Sequence, residues 1–227
     1  MGIIIPKTLE VTEWKGLHLF HAGMSNCSQR VRMMLEEKQL PWTSHEMSMA
    51  KDENLSDWYQ GINPNGVVPT LIHDGTVIIE STDILEYLDQ QFSGPAATPS
   101  FMQGEGLDSE HLHSLITLVN DTQIHLKTLS FEYLFKPMAK KNPRQLETLK
   151  QKLRNQDLLK FHQQFSSKQG LGDKRVSHSV VSMHLALQQL EQYLSKNNWL
   201  AGERFSIADM AWIVNVHRLG LMHFPLD

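Results

Sequence analysis

Strand-like patterns occur in the first 80 residues of this 227-residue chain, and only helical patterns follow them. Residues 17–20 form a short apolar run of the kind found in buried strands, and residues 42–47 are a weaker second candidate. Asp74-Gly75 lies between the apolar runs 70–73 and 77–79. This arrangement is a strong hairpin signal and predicts two antiparallel strands. The order of patterns therefore predicts a small α/β domain followed by a helical one.

The sequence Ser25-Asn26-Cys27-Ser28 stands where the first helix is expected to begin, after the first strand and before apolar residues at helical spacing. At a helix N-terminus the backbone N–H groups are unpaired and the macrodipole is positive, so a thiolate is stabilised there. Arg30 adds a positive charge within the first turn. A structural role stays open, because Ser and Asn are ordinary N-caps and a single cysteine is often a small buried apolar residue.

A turn-rich segment, Asn63-Pro64-Asn65-Gly66-Val67-Val68-Pro69, precedes the hairpin. Asn-Pro and Asn-Gly are both turn signals. Pro69 begins a strand-like run, where it has no N–H to donate to a sheet. Two solutions are possible: an edge position, or a cis peptide bond in a tight bend.

Glu80-Ser81 directly follows the hairpin and precedes apolar residues at helical spacing up to residue 92. Ser81 is placed to cap that helix. Glu80 ends a strand at a point where a charge has no packing role. The pair is therefore better explained by ligand binding than by capping alone.

Beyond a Gly- and Pro-rich stretch at residues 93–99, the remaining patterns are helical. We expect a long amphipathic helix over residues 109–135, a second over 146–161 and a third over 176–194. The segment that starts at Ser206-Ile207-Ala208-Asp209 is apolar on most faces, which is typical of a buried helix. Ser206 and Asp209 resemble a capping box, with Asp in place of the usual Glu.

Charge and composition exclude several classes of function. The net charge of -4 leaves no basic excess to neutralise nucleic-acid phosphates. The chain has one cysteine, so it cannot form an internal disulfide. We find no apolar run near the ~20 residues that a membrane span needs, no signal-peptide pattern, and no metal-ligand spacing among the histidines. A cytoplasmic protein that binds no metal, membrane or nucleic acid is expected.

Taken in order, these motifs resemble the cytosolic glutathione transferase superfamily, and the resemblance covers nearly the whole chain. The helix start is most similar to the zeta and tetrachlorohydroquinone-dehalogenase-like branches, and the region from residue 55 to 82 is similar to bacterial β-etherases. The resemblance implies an α/β thioredoxin-like N-terminal domain plus an all-α C-terminal domain, the glutathione transferase fold. Its expected parts are an extension (1–15), a glutathione-binding domain (16–92), a linker (93–106) and a helical domain (107–227).

The resemblance also implies partners and further structure. Members of the family use glutathione as a co-substrate and form homodimers. They usually continue past the last helix identified above, whereas this sequence ends at Phe224-Pro225-Leu226-Asp227. We therefore expect the family's last helix to be missing. The face of the long helix near Phe131 and Tyr133 is expected to help select the substrate.

For the glutathione site, the family's roles fall on matching residues. Pro69, expected to be cis, turns the backbone of Val68 outward to pair with the cysteinyl part of the tripeptide. Ser81 is expected to bind the γ-glutamyl carboxylate through its hydroxyl and backbone N–H. Glu80 is expected to contact the γ-glutamyl amino group.

Two catalytic mechanisms remain open at the helix start. The Ser25 hydroxyl can donate a hydrogen bond that stabilises the glutathione thiolate, or Cys27 can itself act as the thiolate and form a mixed disulfide with glutathione. We favour Cys27 for thiol chemistry, with Ser25 as the alternative. The expected function is a glutathione transferase that acts, as in detoxification, on a small hydrophobic electrophile, aromatic or halogenated. The rival hypothesis is a binding or scaffolding protein that keeps the fold without the activity.

Overall fold

A computed structural model of the chain describes residues 2–94 and 98–225. Residues 95–97, which belong to the predicted linker, lie outside the described part. The chain forms two compact units. One contains the residues up to Thr98 together with Pro143–Phe161, and the other contains Pro99–Asn142 and the residues from His162 onward.

The helices and strands are numbered in chain order. The strands are β1 (Ile3–Ile4), β2 (Leu17–His21), β3 (Trp42–Glu46), β4 (Thr70–His73) and β5 (Thr76–Ile79). The helices are α1 (Asn26–Glu37), α2 (Asp57–Ile62), α3 (Ser81–Gln91), α4 (Ser109–Leu129), α5 (Lys136–Ala139), α6 (Pro143–Lys152), α7 (Gln156–Ser166), α8 (Asp173–Leu194) and α9 (Ile207–Leu221).

The first unit is built on a five-stranded mixed sheet in the order β1-β5-β4-β2-β3. Strands β2 and β3 pair in parallel, and α1 connects them. The predicted hairpin is confirmed, since β4 and β5 pair antiparallel with Thr70 opposite Ile79. The predicted fold class, an α/β thioredoxin-like domain followed by a helical one, is thereby confirmed.

The first fifteen residues are part of this unit, although their pattern suggests only an extension. Strand β1 pairs with β5 at the edge of the sheet. A 3-10 helix, Leu9–Glu13, places Val11 in the core, where it is fully buried with Phe20 and Tyr59. Two-residue strands are too short to show alternation in a sequence, so no pattern indicates β1.

The second predicted helix, over residues 146–161, is two helices, α6 and α7. The break has a local cause, because the Asn155 side chain accepts a hydrogen bond from the backbone N–H of Leu158 at 2.9 Å. An Asn in that position caps a new helix. Both α6 and the first part of α7 belong to the first unit, which contains the sheet.

The second unit contains α4, a π-helical segment at Ser130–Phe135, α5, α8 and α9. The prediction that α9 is a buried helix is confirmed: Trp212 is 1% exposed and its indole N–H donates to the Leu115 carbonyl at 3.1 Å. The capping box of Ser206 and Asp209 is also present. Within residues 2–94 and 98–225, no helix is both long enough and apolar enough to cross a bilayer.

Candidate functional site

The start of α1 holds both Ser25, at the N-cap, and Cys27, two residues later in the first turn. Ser25 is the N-cap, and its hydroxyl oxygen accepts a hydrogen bond from the Ser28 N–H at 3.1 Å. That hydroxyl keeps its own proton to donate elsewhere. Cys27 is a free thiol and is partly exposed. Both candidate catalytic groups therefore lie at the positive end of a 12-residue helix.

Arg30 links this helix start to the start of α3. Its guanidinium Nη1 lies 4.0 Å from the Cys27 sulfur and donates to the Ser81 hydroxyl at 3.1 Å. The side chain is 1% exposed. Burial lowers the pKa of Arg30, and the charge of Cys27 acts in the opposite direction. A buried guanidinium between a thiol and a hydroxyl favours negative charge near both.

The bend before β4 contains a cis peptide bond between Val68 and Pro69. Of the two possibilities that the sequence leaves open for Pro69, an edge position or a cis bond in a tight bend, the cis bond is the one found. The preceding Val67 carbonyl accepts hydrogen bonds from the Tyr59 hydroxyl at 2.6 Å and the Asn63 side-chain amide at 3.0 Å. In the described part of the chain, the backbone N–H and carbonyl of Val68 have no hydrogen-bond partner. They are therefore free to pair with an extended peptide.

Glu80, rather than Ser81, is the N-cap of α3, and Ser81 is the first residue inside the helix. The expected capping role of Ser81 is thus wrong by one position, and its buried hydroxyl instead accepts from Arg30. Glu80 has a φ of 66°, in the left-handed region. This conformation is uncommon for a residue with a side chain and frequent at binding sites.

The Glu80 carboxylate faces a crowded helix start. Desolvation by neighbouring atoms and the negative charge of Asp83 raise its pKa, although the side chain is exposed overall. Asn65 donates to the carboxylate at 3.3 Å, which acts in the opposite direction. A cationic ligand group beside Glu80 would relieve the repulsion from Asp83.

Hydrogen bonds connect the three elements that hold the predicted site residues. Arg30 joins the start of α1 to Ser81, and Asn65 joins the loop before Val68 to Glu80. Sequence reasoning recognised the charge of Arg30 but missed its contact with Ser81. It also missed the role of Asn65. The spacing of three residues between Cys27 and Arg30 on one helix indicates the contact between these two, whereas no sequence signal indicates the Arg30–Ser81 or the Asn65–Glu80 contact.

Phe131 and Tyr133 lie in the π-helical segment of the second unit. Phe131 packs edge-on against Phe135 and Phe165, and Tyr133 is exposed. The described residues contain no group of three or more His, Cys, Asp or Glu side chains placed to hold a metal ion.

Comparison with known proteins identifies relatives for both units. Residues 19–96 match the model of the glutathione S-transferase N-terminal domain, and residues 172–219 match that of the C-terminal domain. The chain is 27% identical to protein LigF from Sphingobium sp. over 198 residues, which is 86% of this chain and 75% of LigF. The crystal structure described as β-etherase LigF superimposes with a TM-score of 0.80 at 24% identity, covering 88% of this chain and 82% of that one.

Two plant proteins from Arabidopsis thaliana are also similar. Glutathione S-transferase TCHQD is 24% identical over 216 residues, which cover 91% of this chain and 78% of that protein. Glutathione S-transferase Z2 is 28% identical over 118 residues, which cover 52% of each. These matches include the branches that the motifs at the start of α1 resemble.

Proposed function

This chain belongs to the glutathione transferase family and is an enzyme that uses glutathione as its co-substrate, and we propose that it acts on a small aromatic or halogenated electrophile, either by transfer of the glutathione sulfur or by thiol exchange at Cys27. The observation that carries the proposal is the position of Arg30, which contacts both Cys27 and Ser81. One buried cation thereby connects the group proposed for sulfur chemistry with the group proposed for the γ-glutamyl carboxylate.

We propose that glutathione lies across the three connected elements. The backbone of Val68 pairs with the cysteinyl part of the tripeptide, as in strand addition. The Ser81 hydroxyl and its N–H bind the γ-glutamyl carboxylate at the start of α3. The Glu80 carboxylate pairs with the γ-glutamyl ammonium. This arrangement directs the glutathione sulfur towards Ser25 and Cys27.

Two routes follow from that position. In the first, Ser25 donates a hydrogen bond to the glutathione thiolate, which attacks an electrophilic carbon and displaces an aryloxide or halide. In the second, the Cys27 thiolate attacks the glutathione-bearing sulfur of a substrate disulfide, releases the substrate thiolate and forms a mixed disulfide; a second glutathione thiolate then regenerates Cys27 and leaves as glutathione disulfide. We favour Cys27, because Arg30 lies next to its sulfur.

The relatives suggest one further class of substrate to test. A protein described as a β-etherase is among them, so an aryl ether joins halogenated aromatics among the substrates to be tested. We further propose that the enzyme acts in the cytoplasm, where glutathione is reduced, and that it forms a homodimer as expected for the family.

The test first measures glutathione binding and then distinguishes the two catalytic routes. Wild-type protein is titrated with reduced glutathione by calorimetry, and binding at millimolar concentration is expected. Cys27→Ala and Ser25→Ala are then compared in a conjugation assay and a disulfide-reduction assay. If Cys27→Ala retains both activities in full, the thiol route is wrong. If the wild type does not bind glutathione at all, the proposed site is wrong.

A further inference from the structure

The backbone at Val68 is held in place indirectly, through a buried polar cluster on and next to α2. The cluster consists of Tyr59, Asn63 and Thr70, each at most 1% exposed. Tyr59 and Asn63 donate to the Val67 carbonyl, and both also lie 2.9 Å from the Thr70 hydroxyl. The residue directly before Val68 is therefore fixed by two donors in a site from which water is excluded.

Helix α2 also contacts the connection between α6 and α7, residues 153–155, which we call the α6–α7 junction. The buried Gln60 side chain donates to the Lys152 carbonyl at 2.8 Å and accepts from the Arg154 N–H at 3.1 Å. In addition, the Arg154 guanidinium donates to the Gln60 carbonyl at 3.2 Å. Gln60 follows Tyr59 directly, so both sets of contacts fix the same turn of helix.

The junction also reaches the loop itself. Leu153 is 2% exposed and packs with Leu55, Leu149 and Leu159. Its Cδ1 is close to Gly66: a Cβ added at that glycine would lie 3.1 Å from it. Gly66 has a φ of +62°, which glycine adopts readily, and it lies two residues before Val68. Leu153 therefore packs against the loop at Gly66.

We propose that the α6–α7 junction is a positioning element for glutathione: through Leu153 and Arg154 it fixes α2 and Gly66, so that the Val68 backbone is presented to the tripeptide. This inference rests on the proposed glutathione site. Loss of the junction contacts lowers the population of the binding-competent loop and weakens glutathione binding by the same factor. The chemical step at Ser25 and Cys27 is left largely intact, because neither residue contacts the junction.

The first test is a charge-matched pair of substitutions. Arg154→Ala removes the guanidinium contacts with the Gln60 carbonyl and with Asp57 but keeps the backbone N–H contact with Gln60. Arg144→Ala removes the same charge from an exposed position on α6. Glutathione affinity is measured by calorimetry, and kcat and KM by conjugation. Arg154→Ala is expected to raise the Kd and KM for glutathione about threefold or more, as expected from the loss of about one hydrogen bond, with kcat changed less than twofold. Arg144→Ala is expected to change each less than 1.5-fold.

The second test uses a pair of equal truncations in one apolar cluster. Leu153→Ala and Leu149→Ala each remove a buried leucine side chain, so both lower the free energy of unfolding. Only Leu153→Ala is expected to weaken glutathione binding, and Leu153→Met is expected to restore it. Binding is measured where circular dichroism shows each variant to be folded. If Leu153→Ala does not fold, the comparison of Arg154→Ala with Arg144→Ala decides whether the junction positions the glutathione site.

The outcomes distinguish the two proposals. If the wild type binds glutathione but the variants of each pair behave alike, the positioning role is wrong and the proposed function stands. If Arg154→Ala lowers kcat with an unchanged KM, the junction acts on the chemistry and the inference is overturned. If the wild type does not bind glutathione, both proposals fail together.

Discussion

At the scale of single residues, Arg30 is the group on which the proposed chemistry depends most. Its guanidinium lies 4.0 Å from the Cys27 sulfur, and one unit charge at that distance stabilises a thiolate by about 1 kcal/mol even in bulk water. Arg30→Met is therefore expected to slow alkylation of Cys27 by iodoacetamide at least about fivefold at neutral pH. The chain has one cysteine, so the measured rate reports on Cys27 alone.

Arg32→Met is the matched control for this prediction. Arg32 lies on the same helix, and its guanidinium contacts His21 and the Ala22 carbonyl. The Arg32→Met substitution removes the same charge two residues further along α1 and is expected to change the alkylation rate less than twofold. Equal slowing in both variants would show that net charge, and not the Arg30 contact, controls the thiol.

Glu80 gives a prediction for pH dependence. Desolvation and Asp83 raise its pKa, so its carboxylate is protonated at a higher pH than an ordinary glutamate. Once neutral, Glu80 no longer attracts the γ-glutamyl ammonium. The KM for glutathione is therefore expected to rise as the pH falls through this raised pKa. Glu80→Gln is expected to have a high KM at neutral pH that changes little over the same range.

Asp83→Asn provides the control for the pH prediction, because it removes the like charge that raises the pKa of Glu80. In that variant the rise in KM is expected at lower pH than in the wild type. A profile that is the same in the wild type and in Glu80→Gln would mean that another group, or glutathione itself, titrates.

At the scale of elements, the sequence predicts the helices and strands whose signal lies within a few neighbouring residues. The Asp74-Gly75 pair identifies the β4–β5 hairpin, because few other dipeptides adopt the positive φ angles that a two-residue turn between strands requires. Ser25 identifies the start of α1, where its hydroxyl caps the helix. The capping box at the start of α9 is equally readable, since Ser206 and Asp209 are three residues apart.

Elements that depend on distant partners could not be predicted in this way. Strand β1 is two residues long and exists through its pairing with β5, more than 70 residues later. The α6–α7 junction and the end of α6 contact α2 through Gln60, whose partners there, Lys152 and Arg154, are more than 90 residues away in sequence. Such contacts are set by tertiary packing, which a single sequence does not display.

The capping box of α9 carries a stability prediction. Asp209 accepts from the Ser206 N–H at 2.9 Å and from the Leu200 N–H at 2.9 Å, and all three residues are buried. Asp209→Ala leaves both donors unpaired and is expected to lower the free energy of unfolding by about 2 kcal/mol or more. Urea denaturation measures the change. Asp173→Ala, in the exposed first turn of α8, is the control and is expected to cost less than about 1 kcal/mol.

At the scale of the whole molecule, the chain does not divide into two units at a single point. It leaves the first unit after Thr98, returns for Pro143–Phe161 and leaves again. The proposed glutathione site lies in the first unit, so ligand that binds there also stabilises the returning segment. A ligand that binds only the native state raises its stability by RT ln(1 + [L]/Kd), about 2.7 kcal/mol at 100 times the Kd.

Hydrogen exchange is expected to show this extended effect. At a glutathione concentration of 100 times the Kd, amides that exchange by opening of the whole first unit are expected to slow by up to about 100-fold. The slowed amides are expected to include those of α6, although this helix is distant in sequence from every proposed ligand contact. Amides that exchange by local fraying are expected to be unaffected.

The control ligand is the tripeptide Glu-Cys-Gly with an ordinary α-peptide bond in place of the γ-linkage. It carries the same thiol and the same charges, but its glutamyl carboxylate and ammonium groups are in the wrong positions for Ser81 and Glu80, so little protection is expected. Protection by glutathione that is confined to β4 and α3 would show that α6 opens independently of the site. Because such opening would uncouple Leu153 from Gly66, that result would also count against the positioning role of the junction.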